Sequence, residues 1–465
     1  MCRQETPCVT GTDRFRQVPP GSSVSRQGIP GSSYVGRASA HSSQLLRKTR
    51  SCGRRPGDRA DGDCGVARWG VAPSPRRRVV VTYGTRPEAI KLAPVVAGLR
   101  AATWAHCSVA VSGQHRDLLD QVNAAFGIEA DVDLDIFSPG QSLDRIAARA
   151  VTGLADVLGA TRADALVVQG DTTSALAGAL AGAYRQVPVV HVEAGLRSGD
   201  RRAPFPEELN RRMLAQVADL HLAPTAANRA NLLAEGIDAG RIRVTGNTVI
   251  DAFIDVVGRR APVGEPSIDD ALAAGRALVV VTAHRRESWG APLASVAAAV
   301  ADLAEAHPDV LFVLPVHPNP LVRSALLPPV AGRANVVVCE PMGYAPFATL
   351  VAGARLVLTD SGGLQEEAPS VGVPVLVLRE RTERQEAVAA GTVALVGTDR
   401  RRIVEHASRL LSDPASHRVM ARAVNPYGDG QAATRCVAAI GALLGVAEAL
   451  PDFRPPHGED RHPRA

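Results

Sequence analysis

The sequence predicts an α/β protein built from two Rossmann-like, doubly wound parallel-sheet domains. Three observations carry this. From Val79 onward, short Val-rich runs alternate with helical stretches; a Pro- and Gly-bearing break, RRAPVGEPS (259–267), is followed by the same rhythm again; and the polar clusters recur at the carboxyl ends of the Val-rich runs. Ligands of such folds bind beyond the carboxyl ends of the strands, and two hinged sheets enclose a cleft there.

In the first half the strand candidates are VVVTYG (79–84), SVAVSG (108–113), ALVVQG (165–170), VPVVHV (187–192), HLAP (221–224) and RVTG (243–246). In the second half they are ALVVVTAH (277–284), VLFVLPVH (310–317), NVVVCE (335–340), RLVLTDS (355–361), VPVLVL (373–378) and TVALVG (392–397). Boundaries follow: a leader over 1–77, domains over 78–258 and 259–430, a helix over 431–447 packing back on the first domain, and a disordered tail over 448–465. The leader is rich in Ser, Gly, Pro and Arg, shows no sustained period, and reads as disordered.

At 465 residues the chain is long enough for two domains with ample apolar surface to bury. No uninterrupted apolar run approaches the roughly 18 residues that a bilayer span needs, so no membrane partner is expected and a cytoplasmic location is. The net charge of +5 suggests nucleic acid until it is divided. Residues 1–78 hold fifteen Lys or Arg against five Asp or Glu, a net +10, which leaves −5 for the remainder. A polyanion-binding body is therefore not expected. The seven cysteines form no CxxC pair and no metal spacing, so neither a disulfide framework nor a metal site is predicted.

The first polar cluster is YGTRPEAIKLAP, where Pro87 opens a helix whose end, with Arg86 and Lys91, suits a phosphate. Lys91 is one of only two lysines, the other being Lys48 in the leader. A compact ammonium kept among so many arginines implies a place where a planar guanidinium does not fit. Next, VVQGDTTSAL sets Asp171 between a strand and a helix, as a cap or as a functional carboxylate. In VPVVHVEAGLRSGDRRAPFPEELNRRM, Glu193 follows a strand, while Glu207 and Glu208 open a helix where one of them is expected to serve only the helix dipole. Asp171, Glu193 and Glu207 thus converge on one sheet edge.

In the second half VTAHRRES places His284 and Arg285 after one strand and LPVHPNP places His317 after the next. The segment LTDSGGLQEEAPSVGVPVLVLRERTERQEAV brings Ser361, Gly362 and Gly363 before a helix, where bare amides suit a diphosphate. Glu366 or Glu367, one turn in, is placed to accept ribose hydroxyls, and Arg384 adds charge. Phe347 stacks on a base or packs in the core. No nicotinamide fingerprint is present, so no cofactor is predicted.

With GTRPEAIKLAPVV, GQHRDLLDQV, QGDTT, HVEAGLRSGD, PFPEELNR, VTGNTVID, TAHRRES, PVHPNP, DSGGLQEEAPSVGVPVL, RTERQEAVAAGT and NPYGDGQA in order over about 78–445, the chain resembles the non-hydrolysing UDP-N-acetylglucosamine 2-epimerases. The resemblance implies the glycosyltransferase-B architecture, a homodimer, and interconversion of UDP-GlcNAc and UDP-ManNAc for cell-surface polysaccharides. It implies a uridine and diphosphate site around Arg86, Met342, Phe347, Ser361, Gly362, Gly363, Glu367 and Arg384, and catalytic roles for Asp171, Glu193, Glu207 and His284. It also implies a second UDP-GlcNAc bound as activator by Gln114, Arg285 and His317. Gln169 stands where many relatives have His, and Asp117 where some have Gln.

The C2 hydrogen of the sugar has no adjacent carbonyl, so the expected chemistry is elimination of UDP to a 2-acetamidoglucal and re-addition with a proton delivered to the other face. Asp171, Glu193 and Glu207 are expected to share the proton transfers, with His284, Arg86, Lys91 and the glycine amides holding UDP. The rivals are a hydrolysing 2-epimerase and a retaining glycosyltransferase of the same architecture.

Overall fold

The computed structural model describes residues 76–456 apart from 114, 115, 137 and 139. The leader expected over 1–77 lies outside them up to residue 75. Seven parallel strands form the first sheet: β1 (Arg77–Tyr83), β2 (Ala105–Val111), β3 (Val132–Asp133), β4 (Ala165–Gln169), β5 (Val189–Val192), β6 (Leu220–Ala223) and β7 (Ile242–Val244). Their order is β3-β2-β1-β4-β5-β6-β7. Six more, β8 (Leu278–Thr282), β9 (Leu311–Pro315), β10 (Val336–Cys339), β11 (Leu356–Thr359), β12 (Val375–Val377) and β13 (Val393–Leu395), form the second sheet in the order β10-β9-β8-β11-β12-β13. Both orders reverse direction beside their first strand, between β1 and β4 and between β8 and β11, which opens a crevice at each carboxyl edge.

The Val-rich runs form central strands because helices cover both faces, so alternation disappears; every residue of β4, ALVVQ, is buried. β3 escaped the sequence reading because two residues show no period. The helix Pro266–Ala273 also did: it opens with a proline at its first turn inside the stretch read as a linker.

The helix Thr248–Gly258 joins the two lobes. It packs against Arg86–Ala101 on the amino-terminal side and against Tyr344–Ala352 and Leu364–Ser370 on the other. Ile250 and Phe253 are fully buried there, each burial worth roughly 2–3 kcal/mol. The helix Ala432–Leu443 returns from the second lobe to pack on Arg86–Ala101 and Thr248–Gly258. Asp251 caps it from outside, accepting the amides of Ala432 at 3.2 Å and Ala433 at 2.8 Å.

The tail expected to be disordered from residue 448 is corrected by its first part. Phe453 is 4% exposed, its amide donates to the Val244 carbonyl at 2.7 Å, and the Arg435 guanidinium lies 5.2 Å from its ring centre. One aromatic ring with a cation over its face is enough to hold the segment to the edge at β7. Among the described residues no helix is long and apolar enough to cross a membrane, and no group of acidic, His or Cys residues is arranged to hold a metal ion.

His191 on β5 and His221 on β6 are register partners, both buried, with ring centres 6.5 Å apart. Burial pushes His191 down to about 4 and His221 down to about 3. Both are therefore neutral in the folded protein, whereas the unfolded chain takes up their protons below its ordinary histidine pKa. The stability they contribute is present above pH 6.5 and is lost as pH falls toward 4. At pH 5 each should have cost about 2 kcal/mol. Urea unfolding at pH 7 and pH 5 is expected to show His221→Leu losing about 2 kcal/mol less stability on acidification than the unsubstituted protein.

Candidate active site

The amino-terminal edge is built on Glu193. It follows β5 with φ +62°, a left-handed conformation that a non-glycine side chain adopts at some cost and that turns the carboxylate into the crevice. Its Oε2 takes the Lys91 ammonium at 2.5 Å and the Gln169 side-chain amide, and its Oε1 takes the Asn247 side-chain amide at 3.2 Å. Burial opposes charge on both members of the ion pair. The mutual attraction wins, holding the Glu193 carboxyl below and the Lys91 ammonium above its ordinary range.

Asp171 follows the neighbouring strand, β4. It is not the helix cap, because the Thr172 hydroxyl accepts the Ala175 amide at 3.0 Å and does that work. The Asp171 carboxylate instead receives Arg211 at 2.7 Å. The two glutamates that open the helix Glu207–Val217 divide the roles. Glu208 is fully buried and accepts the Ser198 amide at 3.0 Å and the Arg212 guanidinium at 3.0 Å, so it is structural. Glu207 Oε2 is buried with no hydrogen-bond partner among the described residues. Asp171, Glu193 and Glu207 line one cavity of about 1410 Å³.

On the carboxyl-terminal side a smaller cavity of about 460 Å³ is lined by Arg86, Met342, Tyr344, Phe347, Ser361, Gly363 and Glu367, with His284 and His317 at its wall. The Asp360 carboxylate, fully buried after β11, accepts the amides of His284 at 2.6 Å and Arg285 at 2.8 Å and lies 3.2 Å from His284 Nδ1. Burial would raise it, but the His284 contacts and the amides hold it below the ordinary carboxylate range. This arrangement turns His284 Nε2 outward. The His317 ring is stacked on that of His284 at 5.9 Å, and its Nδ1 accepts the Asn319 amide at 3.1 Å. Glu366 spends both oxygens internally, on Arg384 at 2.8 Å and Asn247 at 2.7 Å. Glu367 keeps its carboxylate at the cavity, where among the described residues it accepts the Tyr344 hydroxyl at 3.3 Å and no other side chain, and burial pushes it up to about 7. Pro87, Lys91 and Arg384 line both cavities and form the neck between them.

The sequence profile of the UDP-N-acetylglucosamine 2-epimerases matches residues 97–441. The chain belongs to this family. It is 47% identical to the UDP-N-acetylglucosamine 2-epimerase of Escherichia coli (strain K12) over 370 residues, which span 78% of this chain and 98% of that protein. The crystal structure of UDP-GlcNAc 2-epimerase from Neisseria meningitidis bound to UDP-GlcNAc superposes with a TM-score of 0.72 at 41% identity, covering 79% of this chain and all of that one. The Methanocaldococcus jannaschii enzyme, solved with UDP-GlcNAc and UDP, gives a TM-score of 0.65 at 29% identity over 78% of this chain and 99% of that one. The chain is an enzyme of this kind, with the two-lobed fold the motifs implied.

Within that family fold the structure gathers the three carboxylates in one cavity and brings the Ser361–Gly363 turn, Phe347, Met342 and Glu367 to the adjoining one. Three expectations meet a different arrangement in the structure. At the helix start by Pro87 the Glu88 carboxylate accepts the amides of Gly84 at 3.0 Å and Thr85 at 2.8 Å, so those two amides are not free for a phosphate. Lys91 faces a carboxylate instead of a free anion site, and its compact ammonium fits between the helix and Glu193. The residues proposed for an activator do not share one cavity: Arg285 lines the larger, His317 the smaller, and Gln114 lies outside the described residues. Asp360, Tyr344 and Asn247 were missed. Asp360 and Asn247 sit inside quoted motifs, and their signal was a polar residue at the carboxyl end of a strand.

Removing one partner of a buried ion pair strands the other. Lys91→Met is expected to destabilise the fold by about 3 kcal/mol, and Lys91→Met with Glu193→Gln by less than the two single changes added together. Urea unfolding of the double-mutant cycle measures it; additive losses would show that the pair contributes nothing.

Proposed function

We propose that this enzyme interconverts UDP-GlcNAc and UDP-ManNAc reversibly, by eliminating UDP across C1 and C2 and adding it back to a 2-acetamidoglucal. One observation carries the reading: three amino-terminal carboxylates around one cavity, joined to a nucleotide-sized cavity through a neck with two cations. The uridine and ribose enter the smaller cavity, with Phe347 against the base and Glu367 accepting hydroxyls. The diphosphate lies at the neck near Arg384 and the Gly362–Gly363 turn. The sugar reaches into the larger cavity.

A carboxylate among Asp171, Glu193 and Glu207 removes the C2 proton while the C1–O bond breaks and its electron pair leaves with UDP. His284, with Nδ1 held by Asp360, presents Nε2 to the departing phosphate, where charge develops. The retained UDP then attacks C1 as a second carboxylic acid protonates C2 from the opposite face. Glu207, with a buried oxygen that lacks a partner among the described residues, suits a group whose hydrogen bond forms only with substrate present. Lobe closure keeps water from the glucal and so distinguishes epimerisation from hydrolysis.

Incubation with UDP-GlcNAc in deuterated water is expected to yield UDP-ManNAc with solvent deuterium at C2, followed by NMR. Stoichiometric free UDP with free sugar would assign the hydrolysing reaction instead, and turnover without UDP-ManNAc would sink the reading. Binding has a pH signature as well. If hydroxyls are accepted by an ionised Glu367, UDP-GlcNAc affinity should fall about 10-fold between pH 8 and pH 6, since protonation below 7 removes the acceptor. Calorimetric titration should find the Glu367→Gln variant weaker at pH 8 and nearly flat across that range.

A further inference from the structure

The side-chain amide of Asn247 has a position that its sequence neighbours do not explain. Asn247 is 2% exposed and caps the helix Thr248–Gly258, its Oδ1 accepting the Val249 amide at 3.2 Å while its own backbone amide donates to the Tyr427 carbonyl at 2.6 Å. That use of Oδ1 fixes which end of the amide faces the cleft. The two Nδ2 hydrogens then serve two carboxylates, Glu193 Oε1 at 3.2 Å from the amino-terminal lobe and Glu366 Oε2 at 2.7 Å from the carboxyl-terminal lobe. The other oxygen of each carboxylate holds a cation of the neck, Lys91 at 2.5 Å and Arg384 at 2.8 Å. The result is one continuous chain, Lys91–Glu193–Asn247–Glu366–Arg384, running from lobe to lobe between the two cavities.

We infer that Asn247 is a positioning residue for the epimerisation, a two-hydrogen fork that sets Glu193 for proton transfer by tying it across the lobes to the Glu366–Arg384 pair. The inference rests on the proposed function. The groups that face Glu193 are Lys91 from the first helix, Gln169 from β4, His191 from β5, Asn247, and Glu366 with Arg384 across the cleft. Of these only the Asn247 amide donates to both carboxylates. Without it two buried carboxylates face one another with one donor fewer each, and Glu193 holds a proton to higher pH. The nucleotide contacts, which belong to Phe347, Glu367 and the Ser361–Gly363 turn, are left in place.

A helix cap and a fork can be separated, because serine caps as well as asparagine but cannot supply two hydrogens to two distant carboxylates. Asn247→Ser keeps the cap and is expected to remain folded, unfolding at a lower urea concentration than the unsubstituted protein because of the carboxylate oxygens left without a donor. Its kcat should fall about 10- to 100-fold with KM changed less than about threefold, and the acid limb of its kcat–pH profile should move up by about one unit. Asn247→Asp, which also caps but adds a third acid, should shift that limb further. An unchanged kcat and acid limb in Asn247→Ser overturns the inference, as does a loss of rate that only tracks lost stability with the limb unmoved, the mark of a cap and nothing more. If the unsubstituted protein forms no UDP-ManNAc, the proposed function itself fails and the inference falls with it.

Discussion

The structure depends on one constraint: two carboxylates, Glu193 and Glu366, are buried at the meeting of two lobes and must be neutralised there. Each is met by one cation, Lys91 or Arg384, and both by Asn247. Isolated buried charges would be prohibitively unfavourable, and paired ones are tolerated only with good geometry and filled lone pairs. The elements that bring these groups together are therefore bound to each other. β5 must end in a left-handed turn, the helix from Thr248 must start at the cleft, and the helix from Leu364 must present its first turn to it.

The same constraint shapes the chemistry. A neck with two cations whose charges are already balanced is poised and not strongly attractive, so in the proposed reaction a diphosphate would meet positive groups without their having to be recruited from solvent. Preorganisation of this kind stabilises charge that develops on a leaving group more than charge already present. Asp171 and Glu207 stand apart from the network. Asp171 leans on Arg211 and Glu207 has an oxygen without a partner among the described residues, so the three carboxylates around the larger cavity have three different electrostatic surroundings. The proton transfers proposed for opposite faces of one ring would draw on such a difference.

The carboxyl-terminal lobe shows how a single buried residue organises a site. Asp360 follows β11 at the point where the strand order reverses, and from there it orders the His284 and Arg285 amides and the His284 ring. The stacked His317 adds a second imidazole to the same wall. The helix Ala432–Leu443 and the segment to Phe453 pack back on the first lobe, so the lobes are linked by the Arg259–Glu265 region and by this return crossing.

The alternation of Val-rich runs and helices, together with the polar residues at strand ends, determined two parallel sheets with a cleft and named many of the charged residues that line it. These are legible because they follow from local periodicity and from a rule of the fold. Partner choice was not legible. Whether Lys91 would meet a phosphate or a carboxylate, which of Glu207 and Glu208 would be structural, and which of Glu366 and Glu367 would stay free all depend on side chains more than a hundred residues distant or on which face of a helix turns inward. Asn247 reads locally as an ordinary helix cap, and only the approach of the second lobe gives its remaining hydrogens two carboxylates to serve. Sequence decides what each residue can donate or accept, and tertiary structure decides to whom, because a hydrogen bond is fixed by position to within a fraction of an ångström.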